Sequence, residues 1–158
     1  MKKYEFTGET KRVELWNRTA TLHRIKATVE FGFVKVGELG GWIEKEENLS
    51  HEGKAWVCGD AEVWGNAKVW GNAKVCGDAE VFLASHVLVM GSVGSRNDFT
   101  TFFRDKDNEI TVKCGCFLGK IDKFLEKVTQ THGNNKYALV YRAAVEVAKL
   151  QIELTERK

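Results

Sequence analysis

Gly59-Asp-Ala-Glu-Val-Trp-Gly-Asn-Ala-Lys-Val-Trp-Gly-Asn-Ala-Lys-Val-Cys76 is one six-residue phrase repeated three times. The phrase spreads outward in both directions. Valines stand at 57, 63, 69, 75, 81, 87 and 93, and alanines at 55, 61, 67, 73 and 79. A period of six fits neither a 3.6-residue helix nor a two-residue strand alternation. It fits a prism with three hexads per turn, so the period predicts a left-handed parallel β-helix. The expected fold class is mainly β: a short left-handed β-helix of about three coils, with an N-terminal β region and a C-terminal β-hairpin plus two α-helices.

Counting back in sixes extends the phase, in degraded form, through Gly40-Gly41-Trp42-Ile43. The expected coils are therefore 39–56, 57–74 and 75–92, the first an atypical cap. Residues 18 apart would stack at the strand spacing of about 4.8 Å. Leu39, Val57, Val75 and Val93 would form one inward column, and Ile43, Ala61 and Ala79 another. The residue after each valine should face outward, yet Cys58, Trp64, Trp70, Cys76, Phe82 and Leu88 are all apolar. Exposed apolar ladders mark interfaces. Trp64, Trp70, Phe82 and Leu88 are thus expected to meet the C-terminal segment or another subunit, in a homo-oligomer, trimer or dimer.

The flanks differ in character. Residues 1–36 read as an N-terminal β region, with a hairpin turning at Asn17-Arg18. The β-helix is assigned to 37–94 and an α+β region to 95–158. There, Phe99–Arg104 and Glu109–Cys114 read as two strands around an Asp105–Asn108 turn. Ile121, Phe124, Leu125 and Val128 have helical spacing, ended at His132-Gly133-Asn134. A longer helix starts near Lys136, with Val140, Tyr141, Ala144, Val147 and Ala148 on its stripe.

Charge is nearly balanced, 24 Lys+Arg against 22 Asp+Glu. Such a balance gives no field suited to a nucleic acid polymer or a membrane surface. No apolar run approaches a membrane span, and the N-terminus lacks the apolar stretch of a signal peptide. The expected location is cytoplasmic. The four cysteines then read as thiols, with Cys58 and Cys76 a reduced stacked pair and Cys114-Gly115-Cys116 a C-x-C without metal-ligand spacing. No metal and no cofactor is expected.

No catalytic residue is assigned. His86 and His51 are the histidines that could serve as a general base on such a scaffold, but no acidic partner singles either out. The densest polar cluster follows the repeat: Arg96, Asp98, Thr100, Thr101 and Arg104, with Lys113 across the hairpin. Paired guanidinium donors suit a phosphate or carboxylate, and a nearby aromatic ring could stack a base. A local ion-pair network that fixes the junction is the alternative reading of the same residues.

The hexads resemble those of the hexapeptide-repeat left-handed β-helix superfamily. More narrowly, Tyr4–Thr10, Leu22–Ala27, Gly37–Ile43, Ser95–Arg104 and Cys114-Gly-Cys-Phe117 are similar to segments of small phage- and prophage-encoded β-helix proteins. The resemblance covers nearly the whole chain. Together with the polar cluster, it points to a viral, non-enzymatic binding protein in the host cytoplasm, one that sequesters a small anionic, nucleotide-like immune signal to counter host defence. Two alternatives go with it: an inhibitor that grips a host defence protein through its apolar faces, and a hexapeptide-repeat acyltransferase.

Overall fold

The structure, a computed structural model, describes residues 2–15 and 18–154. Its strands run β1 (Tyr4–Leu15), β2 (Arg18–Ala27), β3 (Leu39–Ile43), β4 (Trp56–Val57), β5 (Glu62–Val63), β6 (Lys74–Val75), β7 (Glu80–Val81), β8 (Val87–Val93), β9 (Asp98–Arg104), β10 (Ile110–Cys114) and β11 (Phe117–Lys120). Two helices follow, α1 (Ile121–His132) and α2 (Lys136–Gln151). The expected turn at Asn17-Arg18 falls partly outside the described residues.

These strands do not make the three-coil left-handed β-helix that the period predicts. They form three separate sheets, and none closes into a solenoid: a five-stranded sheet ordered β1-β2-β3-β5-β7, a four-stranded sheet ordered β11-β10-β9-β8, and the pair β4-β6. The 18-residue register holds only where hexads pair directly, Val57 on Val75 and Val63 on Val81. Earlier in the chain the spacing is 20: Ile43 pairs with Val63 and Leu49 with Val69. The two extra residues lie in the loop between Leu49, still paired 20 residues ahead, and Trp56, paired 18 ahead with Lys74. Ile43 therefore stacks on Val63, not Ala61, and Leu39 is 52% exposed instead of filling an inward column. Val93 also leaves its column, because the chain turns at Ala84–His86 into β8 and pairs antiparallel with β9.

The physical reason is the shortness of the repeat. A stack of hexads buries its core only against further levels, and the deepest parallel stack here, β3-β5-β7, has only three. Antiparallel strands cover the open edges instead. The β1–β2 hairpin extends the hexad sheet by pairing His23 with Ile43, which leaves fewer free backbone groups at the edge. Each hexad still turns on a glycine: Gly59, Gly65, Gly71 and Gly77 hold φ of 65°, 61°, 64° and 66°, a conformation that a side chain disfavours.

The N-terminal hairpin also covers one apolar ladder. Trp64 stacks on Phe82 with centroids 4.7 Å apart, and both are buried with Ala20, Leu22 and Trp42. Leu88 is half-buried against the helices. Only Trp70 of the four expected interface residues is open, at 67% exposure. The four-stranded sheet separates two cores. Phe103 packs on the hexad valines, while Phe102 and Val112 pack under α1 and α2. Cys58 and Cys76, expected as thiols, are joined as a disulfide with Cα atoms 4.5 Å apart. No helix of the described residues is long and apolar enough to cross a membrane.

Candidate functional site

The turn after β2 and the two-residue strands β4 and β6 leave a trough on the hexad side of the four-stranded sheet. The trough is a cleft of about 660 Å³, within the range of small-molecule sites. Phe31 and Val34 bridge to each other across Gly32 and form one rim. Trp56 and Lys74, paired in register on β4 and β6, form the floor. Arg96, Phe99 and Lys113 close the far side.

Rings and cations alternate here. Phe31 meets Trp56 edge to face at 5.2 Å between centroids, and Lys74 Nζ lies 5.2 Å from the centroid of Phe33. Phe33 is 90% exposed, an unusual cost for a phenyl ring with no function. Lys54, Lys74, Arg96 and Lys113 outnumber the acidic Glu38 and Asp98 in the lining. Burial, then the nearby charge of Lys74, lowers the pKa of the Lys113 amine from the usual lysine value. Trp56 is buried, yet its Nε1 has no hydrogen-bond partner. A buried unpaired donor is costly, on the order of 1–3 kcal/mol, and calls for an explanation.

No protein-family model matches the chain, and no curated protein matches it in sequence.

The residues expected from sequence divide three ways. Arg96, Asp98 and Lys113 line the cleft, and Lys113 Nζ donates to the Gly115 carbonyl. Thr101 also borders it, but its hydroxyl accepts the Lys74 N–H at 3.0 Å. Thr100 lies on the helix side of the sheet and donates to Cys114 Sγ at 3.4 Å. Arg104 is not in the cleft. It is buried over the Phe82 ring at 5.1 Å, donates to the Glu80 carbonyl at 2.8 Å and to Asn108 Oδ1 at 3.0 Å. That is the junction network, in place of an anion clamp.

Both histidines are structural. His86 is fully buried, and its Nδ1 accepts the N–H groups of Phe82 and Leu83 at 3.1 and 3.2 Å. Burial, then the charge of Arg104, push its pKa down to about 4. His51 stacks on Tyr4 at 4.0 Å, accepts the Lys3 N–H on Nδ1 at 3.0 Å, and has Nε2 2.9 Å from Glu46 Oε1. Neither lines the cleft, so neither is placed to act as a base there.

The cleft's floor and near rim, Trp56, Lys74, Phe31 and Phe33, were not foreseen. One signal for them exists in the repeat. The slot between Ala and Val holds Glu62, Lys68, Lys74 and Glu80, but Trp56 in the first hexad. A tryptophan at a charged slot is a departure from pattern, and such departures concentrate at functional sites.

Proposed function

We propose that this chain is a binding protein that holds a small, anionic, ring-bearing molecule of nucleotide type in the cleft between the Phe31–Val34 turn and the end of the four-stranded sheet. One observation carries the reading: four basic side chains and four aromatic ones, Phe31, Phe33, Trp56 and Phe99, line one cleft. Cations supply charge-assisted hydrogen bonds to a phosphate, and rings supply a stacking surface for a base. On the resemblance of its segments to phage-encoded proteins, we further propose that the bound molecule is a host signal.

The test is a titration of the purified protein with adenosine monophosphate and with pyrophosphate, followed by calorimetry and tryptophan fluorescence. Both should bind, and the nucleotide should quench fluorescence through Trp56. Each of Arg96→Ala and Lys113→Ala should weaken binding about tenfold or more, since a hydrogen bond to a charged group contributes roughly 1.5–3 kcal/mol. Absence of binding by either compound at millimolar concentration, with no small molecule released when the purified protein is heated, would sink the reading.

A further inference from the structure

A second cavity of about 470 Å³ opens on the helix side of the same sheet. It is separate in its walls but not in its rim. Arg96, Asp98, Gly115 and Cys116 line both cavities. The partition is therefore two backbone turns, 95–98 and 115–116, and not a layer of core. Both turns use the left-handed region, with φ of 48° at Asn97 and 57° at Gly115. The Arg96 guanidinium lies against Gly115: a Cβ there would be 2.9 Å from its Nη1. One guanidinium thus sits on the wall between the two spaces.

The second cavity has its own ring surface. Tyr141 and His132 lie near parallel, 5.9 Å between centroids at 25°, and Phe117 and Phe124 complete the wall. Lys127 is its one further cation in the lining. The order across the partition is rings, cation, rings.

We infer that the ligand carries two aromatic rings joined by an anionic linker, a dinucleotide by chemical class, with the linker on Arg96 and Lys113 and one ring in each cavity. This rests on the proposed role of the cleft. A mononucleotide places its ring on one side of Arg96 and leaves the other ring-lined cavity unfilled. A second base stacked there contributes roughly 1–3 kcal/mol, which is a gain of about tenfold to a hundredfold in affinity. Linking both rings to one anchor makes the second contact intramolecular, with the corresponding gain in effective concentration.

The experiment compares adenosine monophosphate with the dinucleoside monophosphate of adenosine, and the uridine pair likewise, by calorimetry at one ionic strength. The dinucleoside compounds carry less charge, so charge alone favours the mononucleotides. The expected result is that at least one dinucleoside monophosphate binds about tenfold or more tighter than its mononucleotide. Thr131 is exposed at the rim of the second cavity, so Thr131→Trp fills that space without disturbing the core. It should abolish the gain and leave mononucleotide affinity unchanged. If a mononucleotide binds and neither dinucleoside compound binds tighter, or if Thr131→Trp leaves the gain intact, the two-ring inference is overturned and the cleft reading stands. If neither mononucleotides, dinucleoside compounds nor pyrophosphate bind, the cleft reading itself falls.

Discussion

Acid should unfold this protein partly through one imidazole, His86. The ring is fully buried and keeps Nδ1 unprotonated to accept the Phe82 and Leu83 N–H groups. Burial and the charge of Arg104 lower its pKa from 6.5 to about 4, and the Glu153 backbone offsets only part of this. The sign follows directly. Between pH 6.5 and about 4 the unfolded chain takes up a proton that the folded chain refuses, so stability present above pH 6.5 is lost as pH falls. At 1.36 kcal/mol per pH unit, a drop from pH 8 to pH 5 removes about 2 kcal/mol through this group alone. The assay is urea unfolding at both pH values for the wild type and for His86→Asn, whose Oδ1 can accept the same N–H groups without titrating. All other titrating groups are common to both proteins. The wild type should lose about 2 kcal/mol more than the variant over that interval. Equal losses would refute the argument, whatever the variant's starting stability.

Three further outcomes follow from side chains whose surroundings are as clear. Trp64→Ala should cost about 3–5 kcal/mol, because it empties the space under the hairpin, whereas Trp70→Ala at an open position should fall within about 0.5 kcal/mol of wild type; urea midpoints distinguish the two. Arg104→Ala should destabilise the fold and leave affinity for pyrophosphate unchanged, while Arg96→Ala should do the reverse, read by paired unfolding and calorimetry. Asp105→Ala should cost about 3 kcal/mol, since its buried carboxylate accepts the Asp107 and Glu109 N–H groups at 2.9 and 3.1 Å and the Thr111 hydroxyl at 2.7 Å; Asp105→Asn, which keeps an acceptor, should recover part of that loss in the same unfolding assay.

The local consequences of the hexads were legible, and their assembly was not. The Ala-x-Val phrase does bury its valines: Val57, Val63, Val75 and Val81 are inaccessible. Its glycines do turn. A period, however, specifies only what a residue does relative to the next level, and it is silent on how many levels pair. Two residues inserted between Ile43 and Trp56 moved the early register from 18 to 20, and no composition signal marks an insertion in a degraded repeat. After Val81 the valines at 87 and 93 keep the period, but their neighbours Leu88-Val89-Met90 also suit an extended strand. The availability of β9 as an antiparallel partner decided that competition, and tertiary pairing is invisible to a local pattern.

The apolar outward positions misled for a related reason. A surface ladder and a buried ladder have the same sequence, and only the fold says which partner covers it. Here the partner for Trp64 and Phe82 is the chain's own hairpin, through Ala20 and Leu22. The same reasoning explains the site. Guanidinium and ammonium groups near one another in sequence look like a single cluster, but strand alternation sends Thr100 and Thr101 to opposite faces of the sheet, and Arg104 reaches down to Glu80. What brings Arg96 and Lys113 to Trp56, Lys74 and Phe33 is the docking of one face of the four-stranded sheet onto the hexads, at contacts such as the Thr101 hydroxyl with the Lys74 N–H. The ring-and-cation cleft is thus a product of two unlike sheets meeting. Neither sheet carries it alone, so a substitution at the seam, such as Thr101→Val, should weaken pyrophosphate binding in calorimetry although the cations and rings of the cleft stay in place.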